Sequence, residues 1–282
     1  MDAKITLHMH SRYSDGSYTV HELLEEAERL KMSHIAITDH DTLANMPAIE
    51  KASAEAVFSG KVLGGCEISC VDPYRGNKVH IIALHLDHKK EKLETALLMK
   101  KTLEARKNMT LWQIDQLIEA GLDISHEQVL REAEGAYIPY KQHVMFALYK
   151  GDYDYSKPEH MARYKELFKG KGIAAGEIDY PSALDAVCAV KKDGGIAIVA
   201  HPGQSKAWPL LDELVEAGLD GIEVYHPDNS PQDELEARAF ADKHGLFKSA
   251  GSDFHGKYGL ISKLDAALVA KQDVDELLER LF

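Results

Sequence analysis

The chain has 282 residues, 45% hydrophobic and 28% charged, the profile of a globular protein that buries a sizeable core without disulfide staples. Its formal net charge of -13 at pH 7 argues against double-stranded nucleic acid or an anionic membrane as partner, since either calls for a basic face. A small anionic substrate stays open, because bound cations reverse the local sign.

No apolar run approaches the roughly 20 residues of a membrane span. No signal peptide is visible ahead of the first strand pattern. Cys66, Cys70 and Cys188 carry no zinc-ribbon spacing. A reduced, cytoplasmic protein is expected.

In chain order, "KITLHMH" reads as a first strand. "TVHELLEEAERLKM" follows with helical period, Thr19 and Glu22 forming a capping box. "HIAITDH" is a second strand and "AIEKASAEAV" a helix. "KVLGGCEISCV" is a third strand, and "KVHIIALHLD" a fourth after the turn-like "DPYRGN". From about residue 89 to 181 only helical patterns and polar loops appear. A long amphipathic stretch ends at Gly121, "SHEQVLREAE" opens on a Ser125/Gln128 capping box, and "KQHVMFALYKG" is a short helix. Alternation then resumes: helix "SALDAVCAVKKDGG", strand "IAIVAHP", helix "LLDELVEAGLD", strand "GIEVYHP", helix "PQDELEARAFADKHG", strand "LFKSAGSDFH" and closing helix "DVDELLERLF". Seven βα units with short connections predict a mainly parallel α/β sheet closed into a barrel, with its site at the C-terminal strand ends.

Those ends are rich in metal-ligating side chains. Strand one offers His8 and His10, two apart and so on one face, followed by Asp15. Strand two offers Asp39 and His40; strand three, a little earlier, Glu67; strand four His80. Strands five, six and seven offer His201, His226, and Asp253 with His255. Singly, each has a plainer reading. "TDH" makes a capping turn, His80 lies early enough to be a satisfied core histidine, and "AHP" makes a bend. Together, the plain readings require every strand to bury costly polar groups at one rim without reason. Imidazoles and carboxylates without thiolates suit manganese, iron, zinc or cobalt. The ligands are too many for one ion, so two or three divalent ions are expected.

The segments "HMHSRYSDG", "AITDHDT", "CEIS", "VHIIAL", "VAHP" and "GSDFH" resemble, in order and across nearly the whole chain, the motifs of the PHP (polymerase and histidinol phosphatase) family. The closest likeness is to stand-alone phosphoesterases with a helical insertion after strand four. The resemblance implies a distorted (β/α)7 barrel, residues 1–88 and 182–282, with an inserted helical cap subdomain at 89–181. It implies a three-metal centre: His8, His10, Glu67 and Asp253 on one ion; Glu67, His80 and His201 on a second, with Glu67 as the bridging catalytic carboxylate; Asp15, His40 and His255 on a third. Relatives often carry Arg-Pro-His in the insertion to contact substrate phosphate. Here Lys141 stands for the Arg, Gln142 for the Pro, and His143 matches. Near Asn229 some relatives have a histidine, a second departure.

The implied activity is metal-dependent hydrolysis of a small phosphorylated metabolite. A nucleotide phosphomonoester such as a 3′,5′-bisphosphate ranks first, then a cyclic sugar phosphodiester, then histidinol phosphate. Lys141 and His143 would bind the substrate, and His226, His143 or a water the metals hold would act as general acid. Two rivals come from other classes. A metal-dependent amidohydrolase commonly bridges its metals with a carboxylated lysine, where Glu67 stands here. A non-catalytic accessory module, as in polymerases, lacks here the polymerase portion. Oligomeric state and metal identity are left open.

Overall fold

Apolar strand segments separated by capped amphipathic helices fold as their pattern dictates in a computed structural model that describes residues 4–261, 263–267, 269 and 273–282. The strands are β1 (Ile5–Thr6), β2 (His34–His40), β3 (Lys61–Val71), β4 (Lys78–Leu84), β5 (Ile196–Val199), β6 (Gly221–Tyr225) and β7 (Phe247–Ala250). They form one seven-stranded sheet in chain order. The helices are α1 (Val20–Arg29), α2 (Met46–Ala54), α3 (Glu94–Glu119), α4 (His126–Glu132), α5 (Lys141–Leu148), α6 (Pro158–Phe168), α7 (Ala183–Asp193), α8 (Pro202–Ser205), α9 (Leu211–Glu216), α10 (Pro231–His244) and α11 (Asp275–Leu281).

The sheet curls until its two edges nearly meet. The Leu7 N–H donates to the Ala250 carbonyl at 2.8 Å, and Met9 and Phe254 form a parallel bridge. This is a seven-stranded, nearly closed barrel of mixed α/β class, as the sequence predicts.

One expectation changes. There are not seven βα units, because β3 turns straight into β4. Asp72 accepts the Tyr74 and Arg75 N–H groups across that turn, at 2.8 and 3.2 Å. A connection this short has no room for a crossover, so β4 runs antiparallel to both β3 and β5 while the other pairs are parallel.

Local chemistry explains the helix boundaries. At α1, the Glu22 N–H donates to Thr19 Oγ1 at 3.2 Å, and the Thr19 N–H donates to the Glu22 carboxylate at 2.8 Å. At α4 the Gln128 N–H donates to Ser125 Oγ at 3.3 Å. Gly194 and Gly245, both in the left-handed region, end α7 and α10. Helix α6 lies in a part of the insertion for which the sequence reading named no element; its Pro at the first turn begins a short amphipathic helix that buries Leu167 and Phe168.

The main core lies between the sheet and helices α7, α9, α10 and α11, with Ile81, Ile82, Val187 and Ile198 fully buried. Each such side chain contributes about 1.5–3 kcal/mol relative to exposure. Between β4 and α7 the chain is helical, and α3–α6 gather around a separate cluster that includes Ile114, Val144, Met145 and Phe146. No described helix is long and apolar enough to cross a membrane. The three cysteines are free thiols, Cys66 and Cys70 buried in β3 and Cys188 exposed.

Candidate metal centre

The sheet brings the strand-end residues to one rim. His8 and His10 project side by side, their Nε2 atoms 3.3 Å apart. His8 Nε2 lies 3.3 Å from Glu67 and 3.4 Å from Asp253; His10 Nε2 lies 3.2 Å and 3.0 Å from the same two carboxylates. Glu67 also faces His40 at 3.1 Å, His80 at 2.7 Å and His201 at 3.1 Å. Farther along, Asp15 faces His10 at 3.8 Å, His40 at 3.9 Å and His255 at 3.5 Å.

Ligand atoms therefore fall into clusters compact enough to hold ions: His8, His10, Glu67 and Asp253; His40, Glu67 and His80; His10, Asp15, His40 and His255. His201 joins the second through Glu67. His40 lies between the second and third, one ring nitrogen toward each.

The reversed direction of β4 explains His80. It lies early in its strand, which looked like a core position. Because β4 is antiparallel, its beginning is at the rim where the parallel strands end. Glu67 pairs with His40 at the end of β2, while β3 runs on to Val71 to meet β4.

The "TDHD" run splits by face. Only His40 turns toward the cluster. Asp39 accepts from the Ser11 N–H, Ser11 Oγ, Ser14 Oγ and Asn45 Nδ2 at 2.6–2.9 Å, fastening the loop that carries Asp15. Asp41 pairs with Arg106 at 3.0 Å and accepts the Ser69 N–H at 2.8 Å.

These residues fit divalent cations on a direct observation. His10 Nδ1, Asp15 Oδ1, His40 Nδ1, Glu67 Oε2, His80 Nδ1, His201 Nδ1 and Asp253 Oδ1 are buried without a hydrogen-bond partner. Buried polar atoms rarely stay unpaired unless something else satisfies them. The electrostatics agree. Burial opposes the charge of Glu67, yet His80, His8 and His40 hold its carboxyl well below the usual range. Burial likewise opposes the charge of Asp253, and His255, His8 and His10 outweigh it. His201 and Asp253 have positive φ, 27° and 51°, conformations that cost non-glycine residues energy and gather at functional sites.

Glu223 is a functional candidate that the sequence reading missed. It is fully buried on β6, accepts the His201 N–H at 2.8 Å and lies 3.1 Å from His8 Nδ1. With its Nδ1 proton on Glu223, His8 turns an Nε2 lone pair toward Glu67 and Asp253, the usual way a carboxylate orients a ligating histidine. A glutamate in the apolar strand "GIEVY" was the available signal, since an unpaired charge there is costly.

His226 lies beside His8 and His201, ring centroids 6.1 and 5.2 Å away. Its Nδ1 accepts the Asp228 N–H at 3.1 Å, which puts its proton on Nε2, 3.9 Å from Asp253 Oδ2. Asn229 donates to the Glu223 and Val224 carbonyls at 3.2 and 3.0 Å, bracing that turn.

The two substrate-binding candidates of the insertion part company. Lys141 lines a cavity of about 230 Å³ that reaches Asp15, His40 and His80. Gln142 lines it too, donating to Asp15 Oδ2 at 2.6 Å. His143 is buried; its Nδ1 accepts the Tyr140 N–H at 3.0 Å, and it lines a smaller recess with Arg12, Lys257 and Tyr258. Burial pushes His143 down to about 4, so it is neutral near pH 7.

The chain matches the PHP domain over residues 6–224 and belongs to that family. It is a metal-dependent phosphoesterase. It is 40% identical to a phosphoribosyl 1,2-cyclic phosphate 1,2-diphosphodiesterase of Eggerthella lenta, covering 90% of this chain and 95% of that one. It is 32% identical to a 3′,5′-nucleoside bisphosphate phosphatase of Chromobacterium violaceum, covering 90% and 87%. It is 31% identical to the 5′-3′ exoribonuclease Rnm of Escherichia coli, covering 88% and 84%. Among solved structures, a protein from Bifidobacterium adolescentis described as a metal-dependent phosphoesterase superposes with a TM-score of 0.85 at 28% identity, over 99% of this chain and 97% of that one.

Proposed function

We propose that the protein hydrolyses a phosphate ester on a phosphorylated ribose, with a cyclic phosphodiester of a sugar phosphate as first substrate and a 3′,5′-nucleoside bisphosphate as second. The sequence alone ranked the bisphosphate first. The stronger likeness to the Eggerthella lenta enzyme puts the cyclic ester ahead. The observation that carries the reading is the small cavity running from Asp15, His40 and His80 to Lys141, scaled to a single sugar phosphate.

In this reading His8, His10, Glu67 and Asp253 hold one ion, Glu67, His80 and His201 a second, and Asp15, His40 and His255 a third. The oxygen and nitrogen donor set suits manganese, iron or zinc. When bound, such ions supply an activated water and Lewis-acid neutralisation of phosphoryl oxygens. Glu67 holds the first two sites together. Glu223 fixes the tautomer of His8. Lys141 offers a cation to the substrate, and His226 presents an Nε2 proton for the leaving oxygen. Residues 89–181 act as a cap that keeps bulk water out while the barrel, residues 1–88 and 182–282, carries the ligands. The protein works in the cytoplasm, consistent with its free thiols.

The test is a turnover screen of manganese-, iron- and zinc-loaded protein, followed by phosphorus NMR. It takes phosphoribosyl cyclic phosphate, nucleoside bisphosphates, histidinol phosphate and a short oligoribonucleotide. Ring opening of the cyclic ester should dominate. Faster cleavage of the oligoribonucleotide would favour an exoribonuclease, and no phosphoester turnover by metal-loaded protein would refute the reading.

A further inference from the structure

The proposed ion sites differ in what braces them. Residues of the first two are steadied from the barrel itself, Glu223 facing His8 and accepting the His201 N–H. Those of the third, Asp15, His40 and His255, lie where the insertion meets the rim, and the insertion reaches each stretch that carries them. Gln142, in the first turn of α5, donates from Nε2 to Asp15 Oδ2 at 2.6 Å. Tyr140, the residue before α5, donates its hydroxyl to the His40 carbonyl at 3.3 Å. Tyr258, just beyond His255, donates to the Glu132 carboxylate of α4 at 3.1 Å and packs edge-on against His143 and Phe146, ring centroids 5.1 and 4.7 Å away. Among the described residues no hydrogen bond runs from residues 89–181 to His8, His10, Glu67, His80, His201 or Asp253.

Asp15 needs such a hold. It lies in the loop between β1 and α1, where no ladder fixes a side chain. Asp39 fastens that loop at Ser11 and Ser14 without reaching the Asp15 carboxylate. The closest polar contact of that carboxylate, among the described residues, is Gln142. Its two oxygens divide the work. Oδ2 accepts from Gln142, whereas Oδ1 is buried without a hydrogen-bond partner and faces His255 Nε2 and His10 Nδ1 at 3.5 and 3.8 Å. A carboxylate pinned through one oxygen presents the other to a cation with little ordering left to do. The donor is a neutral amide. A lysine there would neutralise Asp15 and repel a cation, and the proline that relatives often carry has no side-chain donor.

We propose that Gln142 is a positioning residue for the third ion: it holds Asp15 so that Oδ1 faces the ion, which makes the helical insertion part of that site while the first two belong to the barrel alone. This rests on the third-ion assignment in the proposed function.

The test counts ions. Chelator-treated protein is dialysed against a series of free manganese concentrations, and bound manganese is measured by elemental analysis. The wild type should fill three sites. Gln142→Met, similar in length but without a donor, should weaken one site roughly tenfold to a hundredfold and leave two unchanged. Gln113→Met is the control. It removes a buried hydrogen bond within the insertion, from Gln113 Nε2 to the Ala174 carbonyl at 2.8 Å, and should leave all three sites intact. Phosphate ester turnover by Gln142→Met should fall at limiting manganese and recover with excess. Unchanged or tighter binding in Gln142→Met, weakening of all sites alike, or the same loss in Gln113→Met overturns the role. So does a wild type that holds only two ions, although phosphate ester turnover would then keep the proposed reaction. If Gln142→Met weakens one site and the wild type turns over no phosphate ester, the positioning stands and the proposed reaction falls.

Discussion

Five histidines come within 3.3 Å of the one buried carboxylate of Glu67. Glu67→Gln keeps the shape and removes the charge that the cluster is built around. Activity should drop by far more than the roughly 10–100-fold typical of outer partners, with metal content per chain falling in elemental analysis. Glu223→Gln, one bond farther out, should fall within that 10–100-fold range in metal affinity, measured by competition with a chelating dye. Lys141 sets a pH dependence. With its pKa lowered to about 8, it is cationic below that pH and loses its charge above it. kcat/KM for an anionic substrate should therefore decline from about pH 8 upward. Lys141→Arg should move that alkaline limb upward, since a guanidinium stays charged. A limb that stays put would assign it to another group. Folding runs with the opposite sign. The unfolded lysine holds its proton more tightly, so this residue makes stability rise with pH between about 8 and its ordinary 10.5.

At the scale of elements, the segment just after β7 must pass very close to His8 and to β6. A Cβ built on Gly251 would lie 2.1 Å from Glu223 Oε1 and 2.3 Å from His8 Cβ. Gly251→Ala should cost about 1–3 kcal/mol by overpacking and lower metal content as well, because it pushes on the pair that orients His8. Thr19→Ala offers the contrast. It removes the cap of α1, whose side chain bonds Glu22 and none of the ligand residues, so a loss of about 0.5–2 kcal/mol in denaturant unfolding should come with unchanged metal content. The β3–β4 hairpin shows why an element's direction matters as much as its presence. His80 reaches the rim only because β4 is reversed.

At the scale of the whole molecule, the rim concentrates carboxylates and imidazoles whose buried atoms lack partners in the protein. Ions bound there at 1,000 times their dissociation constant would add about 4 kcal/mol to folding stability. Chelation should then lower Tm by on the order of 5–10 °C, restored by divalent metal. A Tm indifferent to chelator and metal would count against an ion-filled centre.

Much of this arrangement was legible in the chain. The period-two histidines, the apolar runs ending in His, Asp or Glu, and the Thr19 cap encode strands, rim and helix start locally, because side-chain alternation and capping depend only on neighbours. Local patterns could not separate Asp39 and Asp41 from His40, since only the packed loops show that the aspartates fasten Ser11, Ser14 and Arg106. Nor could they give Glu223 its partner His8, 215 residues away. The sequence by itself determined which residues end the strands and that a helical stretch interrupts them. Only the tertiary structure decided the direction of β4, the role of Glu223 and the turning of His143 into a separate recess. Each depends on the approach of segments distant in the chain, and pairing direction, burial and charge proximity exist only once those segments have met.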